Sequence, residues 1–543
     1  MRLQKFRFSG SCARSGILRD ATFVLVLAGL VLALGSAPAS QAAASNIFIS
    51  QNGGGSGTSC SDTLAVSWFN NSGNWGGGAA QIGPGTTVHL CAGTYSFPAG
   101  TTNALGFQGS GSSGNVITLK ADGAVVITAP YWGTGNDGSP AVNVNGKSFI
   151  TIDGQNQLTI QATANGTPFA NRIDGSNGII SNGGSNVTIQ NLTVSNMYVH
   201  TCTLPISNCT DEVGGSTGGI SAWGSNLLIQ HCTIHDAKDG IGANYPGGSV
   251  ITNMTFQNNT IYNTDHGIEF GAGGTGSTVT NVIIKNNDIR DFQNWDDAAV
   301  NHHHDGIHQF AYNTGDVVVG YQVNGNYIHG DFGANINAAI YQESSTQTTG
   351  TYVFNNLIVD QSSVSHQGCG EICVINLGAR IYNNTITAPT GHGSVGVNVY
   401  QPSAVIQNNV IFNIFEAVGV SGSATYANTT FDYNNYYGIG GNGWNLSGSF
   451  SAWKTSCSCD AHSTTGNPNL NASYQPTSAS TSLIGQAFNL AGLLMTPLNI
   501  DKAGNPRPSV GMWDGGAYGY GAASSGSTTV QPPTGLTATV TVP

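Results

Sequence analysis

Charged residues are scarce in this chain. They make up 8% of its 543 residues, and 15 Lys and Arg stand against 27 Asp and Glu, a formal net charge of -12. Nucleic acids and anionic membrane surfaces are bound by clustered Lys and Arg, and the sequence has no such cluster after its first 20 residues. The composition therefore argues against both as partners.

Long apolar segments are lacking beyond the N-terminus. The run over residues 21–34 follows five basic residues and precedes the small residues 42–44. It is shorter than the ~20 residues that span a bilayer, and the order basic, apolar, small is typical of a secretory signal. We expect residues 1–44 to be removed and the protein to be secreted.

Uninterrupted amphipathic helical segments are missing as well, and a repeated phrase built on paired Asn takes their place. Its copies are FQNNTI (256–261), IKNNDI (284–289), VNGNYI (323–328), VFNNLI (353–358), IYNNTI (381–386), IQNNVI (406–411) and the weaker DYNNYY (432–437), with the upstream relatives IQNLTV (189–194) and IQHCTI (229–234). From Asn259 to Asn435, the second Asn of successive copies recurs after 28, 39, 30, 28, 25 and 26 residues. Such a period indicates a solenoid.

The residues around each Asn pair predict what the solenoid is made of. Short β-branched runs bounded by Gly and Asn are typical of strands, and the 76 glycines are about twice the usual ~7% share. Stacked coils place equivalent residues about 4.8 Å apart. Ile and Val columns can then fill the interior, while Asn columns bond along the stack and supply the left-handed backbone of a sharp corner.

This pattern resembles the right-handed parallel β-helix of the pectate-lyase-like superfamily, in which an internal Asn ladder marks one corner. The resemblance covers roughly residues 110–440 and implies an all-β fold. In that superfamily one strand face, with the loops over it, commonly forms a sugar-binding groove. The fold hosts lyases, hydrolases, epimerases and binding proteins, so it does not fix the reaction.

The segments around the repeats complete the predicted domain organisation. Residues 45–110 are expected to form an N-terminal cap, 111–440 the parallel β-helix, and 441–521 a C-terminal closing segment whose ending resembles that of secreted bacterial β-helix proteins. Residues 522–543 are a linker followed by what resembles the first strand of a truncated fibronectin type III domain. We expect a monomer.

Nine cysteines remain after the signal, and an oxidising compartment favours disulfides. The predicted pairs are Cys60–Cys91, Cys202–Cys209 and Cys369–Cys373. Cys457 and Cys459 stand too close in sequence for an easy mutual bridge, and Cys232 is expected to face the stack. None of these spacings forms a convincing zinc signature.

A second recurring phrase, of which DHGIEF (265–270) and HDGIHQ (304–309) are copies, predicts another strand column. Because side chains alternate along a strand, its Ile residues (Ile241, Ile268, Ile307 and Ile340) should point inward and Gly242, Glu269, His308 and Tyr341 outward. If the turn keeps that alternation, Lys238, Asp265 and His304 form a second outward group. The candidate catalytic residues are therefore Asp265, Glu269, His304, Asp305, His308 and Tyr341. Substrate contacts are expected from their neighbours Lys238, Asp239, Arg290, Trp295, Gln342 and Glu343.

The 39-residue step carries the acidic loop 292–300 and the run NHHHDGIH (301–308). Three interpretations of the His run remain open, namely stacked loop residues, catalysis, and a transition-metal site of His302, His304 and His308. Alternatively, Ca²⁺ would use carboxylates, with Asp296 and Asp297 as the predicted ligands beside Asp265, Glu269 and Asp305.

We predict that the protein binds a polysaccharide and cleaves a glycosidic bond. In a β-elimination, His308, His304 or Lys238 would take the C5 proton of a uronic acid and Tyr341 would protonate the leaving oxygen. A hydrolase would instead pair Asp265 with Glu269 or Asp305. The alternative is a non-catalytic carbohydrate-binding or adhesin-like solenoid.

Overall fold

The computed structural model describes residues 43–133, 139–164, 176–197, 218–296, 303–311, 313–344, 348–366 and 368–521. Its strands pair in parallel with strands of the next coil, as in Ile241↔Ile268 and Ile268↔Ile307. Each coil passes through up to three strands, so the chain builds three stacked sheets. The predicted parallel β-helix is confirmed.

Sheet 1 leads into the Asn corner. It contains Asn46–Ser50 with its partner Leu64–Ala65, the first parts of Thr87–Ser96, Ile117–Ala129, Ile150–Ala162 and Val187–Ser195, then Leu227–Gln230, Val250–Gln257, Thr278–Lys285, Val317–Asn324, Thr348–Thr349, Tyr352–Phe354, Arg380–Tyr382, Val405–Gln407 and Thr430–Asp432.

Sheet 2 follows that corner. It contains the second parts of the same four long strands, the first parts of Thr233–Tyr245 and Thr260–Ala272, then Asp288–Arg290, Tyr327–Gly330, Leu357–Asp360, Thr385–Thr387, Val410–Phe412 and Asn435–Tyr437.

Sheet 3 closes each coil. It contains Leu105–Gly106, Pro140–Asn143, Asn177–Asn182, Gly218–Trp223, the second parts of Thr233–Tyr245 and Thr260–Ala272, then His304–Ala311, Ile336–Ser344, Ile372–Val374, Val395–Val399 and Glu416–Val420.

The helices in the described residues are short. They are Val66–Phe69 and Phe450–Cys457, with the 3-10 turns Ser72–Asn74, Gln293–Trp295, Tyr426–Asn428, Ala491–Leu493 and Thr496–Asn499. None of the helices in the described ranges is long and apolar enough to cross a membrane.

The interior is filled by aligned aliphatic side chains, as the pattern predicted. Ile241, Ile268, Ile307, Ile340 and Ile372 follow one another in register along sheet 3, and each is fully buried. Burying each of these Ile side chains away from water stabilises the fold by about 2 kcal/mol. The core is therefore a continuous column along the solenoid.

The two Asn of each pair have different roles at the corner between sheets 1 and 2. The first adopts the left-handed backbone, with φ of 54° at Asn258 and 54° at Asn286, and Gly325 takes the same position with φ of 66°. The second is buried and forms the ladder. Asn326 Nδ2 donates to Asn356 Oδ1 at 3.0 Å, and Asn287 Nδ2 donates to Asn326 Oδ1 at 2.9 Å.

The last copy of the repeat is shifted by one residue from the predicted position. Asn409 donates to Asn434 at 3.1 Å, so Asn434 rather than Asn435 continues the ladder. Tyr433 adopts the left-handed conformation with φ of 58°, and the phrase aligned with IQNNVI is FDYNNY (431–436).

At the N-terminal end of the ladder, Cys232 occupies the position of the second Asn, and its backbone N–H donates to Asn259 Oδ1 at 3.0 Å.

The segment after the last coil returns along the outside of the Asn corner. It binds the first Asn of successive pairs: Asn355 accepts from Arg507 at 2.9 Å, Asn383 donates to the Gly516 carbonyl at 3.3 Å, and Asn408 donates to that of Phe488 at 2.9 Å. The same Asn that permits the turn thus anchors the closing segment. Parallel pairing already begins at Asn46, within the segment that was predicted to be a cap. The predicted domain boundaries stay predictions. The boundaries within residues 1–42 and 522–543 lie outside the described residues.

Two of the predicted disulfides, Cys60–Cys91 and Cys369–Cys373, are present, and Cys232 is free and buried. The expectation for Cys457 and Cys459 is wrong, because they form a disulfide. Cys457 ends a helix and Ser458 turns the chain with φ of 51°, which brings the two Cα atoms to 5.1 Å. Cys202 and Cys209 lie outside the described residues.

Replacing Asn326 by Ala should destabilise the protein by about 3 kcal/mol or more, because it leaves the buried backbone N–H and side-chain amide of Asn287 without their acceptor. The shift of the urea unfolding midpoint measures this. Asn286→Gly is the matched control: this exposed residue has a positive φ that Gly adopts freely, so a change below about 1 kcal/mol is expected. Equal losses in both variants would contradict the division of roles.

Candidate functional site

The outer wall of sheet 3 brings together the polar residues that alternation predicted. Gly242, Glu269, His308 and Tyr341 stand in register on four successive coils. The rings of His308 and Tyr341 stack with centroids 4.9 Å apart and an interplanar angle of 24°. A carboxylate, an imidazole and a phenol therefore share one face, at the spacing of stacked strands of about 4.8 Å.

The second outward group differs from the predicted one, because the alternation breaks at a column of glycines. A Cβ on Gly267 would lie 2.4 Å from the carbonyl oxygen of Gly306 and 2.5 Å from Cγ2 of the interior Ile289, so this position faces inward beside Ile268. Because Gly267 and Ile268 both face inward, every residue before Gly267 lies on the face opposite to the one that alternation predicted. The residues that register in the outer column are Asp239, His266 and Asp305, in place of Lys238, Asp265 and His304.

Three imidazoles gather around one carboxylate oxygen on this wall. Oδ2 of Asp305 lies 3.1 Å from Nε2 of His303, 3.4 Å from Nε2 of His266 and 3.7 Å from Nδ1 of His308. Burial opposes ionisation of Asp305, but the neighbouring imidazoles outweigh it and lower its pKa to about 2. We call His266, His303, Asp305 and His308 the imidazole cluster; their ligand atoms all lie within 4.8 Å of one another.

Asp265 lies behind the imidazole cluster and orients His266. Its Oδ2 is 3.0 Å from Nδ1 of His266, and its Oδ1 is 2.5 Å from Nδ1 of His304. Burial opposes the charged forms, yet the pairing holds the pKa of Asp265 well below its usual value and that of His266 well above. Asp265 is therefore buried behind His266 and is not exposed on the wall.

His304 and Asp296 form the buried support of the wall. Nε2 of His304 lies 3.1 Å from Oδ1 of Asp296, and Asp296 also accepts from the backbone N–H groups of Ala334 and Asn335 at 2.7 and 2.8 Å. Burial disfavours the imidazolium, but Asp265 and Asp296 raise the pKa of His304 to about 9. Both oxygens of Asp296 are thus engaged; its role as a metal ligand stays a prediction, and Asp297 lies outside the described residues.

A pair of carboxyl groups, Asp239 and Glu269, borders the imidazole cluster on one side. Burial, followed by the charge of Glu269, raises the pKa of Asp239 to about 7. Glu269 is half-buried, and its Oε2 accepts a long bond of 3.4 Å from Asn244. On the other side burial, Glu343 and Asp305 raise the pKa of Tyr341, so its phenol stays protonated at neutral pH.

The remaining predicted contact residues are scattered. Glu343 is on the wall, with Oε2 3.3 Å from Nε2 of His308. Arg290 is on sheet 2, 2.7 Å from Asp291, and Trp295 donates to the Asn263 carbonyl at 3.1 Å. Gln342 faces the interior, where Asn376 donates to it at 3.3 Å, so it is not part of the outer wall. Lys238 is half-buried between sheets 2 and 3.

His266 and His303 were missed by the sequence analysis. The signal for His266 is its place directly before Gly267, equivalent to Asp239 before Gly240 and Asp305 before Gly306. His303 belongs to the His run, in which alternation pointed to His302 and His304 instead. His302 lies outside the described residues.

A second buried cluster lies further along the solenoid, where the chain passes from sheet 2 to sheet 3. Nε2 of His366 is 2.8 Å from Oδ2 of Asp360, and Glu371 lies beside them under Gly393. Burial, followed by the charge of Asp360, raises the pKa of Glu371 well above its ordinary value. His366 also lines a surface pocket of ≈ 450 Å³.

Comparisons with known proteins agree with the fold. Residues 140–314 match the family described as right handed beta helix region, which confirms the predicted resemblance for the fold. Similar solved structures include the complex of XylC with xylose (11% identity, TM-score 0.48, covering 88% of this chain and 98% of that one) and pectate lyase Pel9A (16%, 0.40, 87% and 96%). A third is the A-module of the Azotobacter vinelandii mannuronan C-5 epimerase AlgE6 (14%, 0.28, 66% and 88%). Likenesses of this size concern the course of the backbone and assign no reaction. Among curated proteins there is no match in sequence.

Glu371→Gln should change how stability depends on pH. The pKa of Glu371 is ordinary in the unfolded chain and raised in the folded protein, so between these two values the folded state binds more protons and the wild type loses stability as pH rises, by up to about 1.4 kcal/mol per pH unit. The variant lacks this slope. Unfolding midpoints from pH 4.5 to 8 should diverge in its favour as pH rises; parallel curves would contradict a buried, protonated Glu371.

Proposed function

We propose that this protein binds a polysaccharide along the outer wall of sheet 3 and cleaves it by β-elimination beside a uronic acid. The observation that carries the proposal is the alignment of Glu269, His308 and Tyr341 on successive coils, with the imidazole cluster at its centre. An extended chain of sugars suits a wall built by repeating strands. The disulfides fit a secreted protein.

Tyr341 is the proton donor in this proposal. Its raised pKa keeps the phenol protonated, and its ring stacks on His308 at the edge of the imidazole cluster. As the C4–O4 bond breaks, the electron pair leaves with O4, which takes the proton of Tyr341. A positioned acid of this kind contributes about 10²–10⁴ to the rate.

Glu269 is the proton acceptor. Its carboxylate is half-buried on the wall and has one long hydrogen bond, from Asn244, so it can reach a proton on a bound sugar. The C5 proton passes to Glu269, and the electrons of the C5–H bond form the new double bond between C4 and C5. His304 is too deeply buried for this role.

His308 lines the wall and does not take the C5 proton. Its Nε2 faces Glu343 at 3.3 Å and its Nδ1 faces Oδ2 of Asp305 at 3.7 Å, so neither nitrogen is directed into open space. With His266 and His303 it forms the centre of the wall, where the uronate carboxylate would bind between Glu269 and Tyr341. Lys238 lies outside this column.

Hydrolysis is the second candidate, and one observation favours it. Asp239, with its pKa raised to about 7, adjoins Glu269, and a pair of carboxyl groups of which one stays protonated is how glycosidases divide acid and base roles. Asp239 is 5% exposed and Tyr341 is 9% exposed, so Asp239 has the smaller access to a bound sugar. This difference places hydrolysis second.

Purified protein incubated with uronic-acid polysaccharides should produce an unsaturated sugar, measured by its ultraviolet absorbance, in step with new reducing ends. Tyr341→Phe and Glu269→Gln should each lower kcat about 10²-fold or more with a smaller change in KM. Tyr327→Phe is the matched control, because Tyr327 stacks on a His of sheet 2 at 3.8 Å and should keep full activity.

New reducing ends without an unsaturated product would identify hydrolysis instead. No product from acidic or neutral polysaccharides, together with retained binding, would leave the non-catalytic carbohydrate-binding alternative. Full activity of Tyr341→Phe would contradict the proton donor assigned here.

A further inference from the structure

We infer that the imidazole cluster is a binding site for one divalent transition-metal ion, best suited to Zn²⁺. The four residues offer donor atoms that lie within 4.8 Å of one another, and we assign these as the atoms of the contacts with Asp305, namely Nε2 of His266, Nε2 of His303, Oδ2 of Asp305 and Nδ1 of His308. Imidazole nitrogens with one carboxylate oxygen form a donor set that zinc accepts. The residues come from two adjacent coils, so the fold itself assembles the set.

The spacing of the donors matches a tetrahedral ion. Metal–ligand bonds of about 2.0–2.1 Å place the donor atoms of a tetrahedral zinc site about 3.3 Å apart. The three distances from Asp305 Oδ2 to the ring nitrogens are 3.1, 3.4 and 3.7 Å, which bracket that edge. A central ion would therefore leave these three distances nearly unchanged, and it would draw together any pair of ring nitrogens that stands toward the 4.8 Å limit of the cluster.

Three of these atoms also lack an ordinary partner. Among the described residues, Nε2 of His303, Oδ2 of Asp305 and Nδ1 of His308 are buried and form no aligned hydrogen bond. The two ring nitrogens lie close to Asp305 Oδ2, but the angles are not those of a hydrogen bond. Buried polar atoms without partners are costly, and an ion at their centre would satisfy all three together.

The protein holds the other side of three of the four donor residues. Nδ1 of His266 is 3.0 Å from Asp265, Nε2 of His308 is 3.3 Å from Glu343, and Oδ1 of Asp305 accepts from the backbone N–H of Ala338 at 3.0 Å. Histidine ligands of metals have such carboxylate partners, which fix the ring and its tautomer. Ca²⁺ prefers oxygen ligands, and three of these four donors are nitrogen.

The metal ion would have a role in the proposed elimination. That role rests on the proposed function, whereas the existence of the site does not. A uronate needs a positive charge that the protein has not already neutralised, and a carboxylate lies close to each imidazole of the cluster: Asp265 to His266, Asp305 to His303 and Glu343 to His308. A divalent ion supplies that charge. The His303 side chain is 43% exposed, so the ion would be reachable from the groove between Glu269 and Tyr341.

The test begins with purified protein freed of metal by a chelator and then exposed to Zn²⁺, Co²⁺ or Ca²⁺. We expect one zinc per chain by elemental analysis, a higher thermal unfolding midpoint with zinc, a visible absorption band with Co²⁺, and none of these with Ca²⁺. His303→Ala and His308→Ala should each weaken zinc binding at least about 100-fold. The matched control is His329→Ala, which removes an imidazole that lies on sheet 2, 3.0 Å from Asp288, and this variant should bind zinc like the wild type.

Wild-type protein that retains no more zinc than His303→Ala would overturn the site, as would an equal loss in His329→Ala. Because His303 is partly exposed, its variant should keep the metal-free unfolding midpoint of the wild type, which separates lost binding from lost folding. Tyr341→Phe distinguishes the two proposals: it should bind zinc normally and lose cleavage. Zinc binding without cleavage in the wild type would refute the elimination and leave the site, and cleavage that zinc lowers would refute the carboxylate-binding role.

Discussion

The in-register parallel pairing of successive coils is the constraint on which the rest of the molecule depends. Backbone hydrogen bonds fix equivalent residues about 4.8 Å apart, however many residues separate them along the chain. Glu269 and His308 are 39 positions apart, and they are neighbours because Ile268 and Ile307 pair beneath them. The apolar column inside and the polar column outside are thus two consequences of one register.

This register explains why much of the fold could be predicted from the sequence. The Asn pairs mark a corner where one residue must adopt a positive φ and the next must bond to the coils above and below, and both requirements select Asn. Only the last copy was misplaced, since Asn434 and Asn435 both fit the phrase as a sequence. Its register is fixed by Phe431, which pairs with Ile406, and that is a property of three-dimensional stacking.

The candidate site was predictable up to the point where alternation fails. Glu269, His308 and Tyr341 followed from the Ile column directly. His266 did not, because Gly267 and Ile268 both face the interior, and this depends on the close approach of Gly267 to the Gly306 carbonyl and Ile289. The sequence of one strand does not show that the strand of the next coil leaves no room for a Cβ at this position. The glycine column, read across coils, carries that information.

The glycine column also decides what chemistry the wall can support. In a strictly alternating strand with His308 outward, the other outward positions would be Gly306 and His304, and Asp305 would face the interior. The break at Gly306 instead brings Asp305 and His308 onto one face while Asp265 and His304 stay behind it, so the outward imidazole of His266 is backed by the buried carboxylate of Asp265. Buried charges are tolerated only when they are paired, and here Asp265 is paired on both sides, with His266 and His304. The inward position that packing imposes on Gly306 therefore leaves a buried layer of paired side chains behind the outward one, and the longest step of the repeat adds His303 to the outward layer.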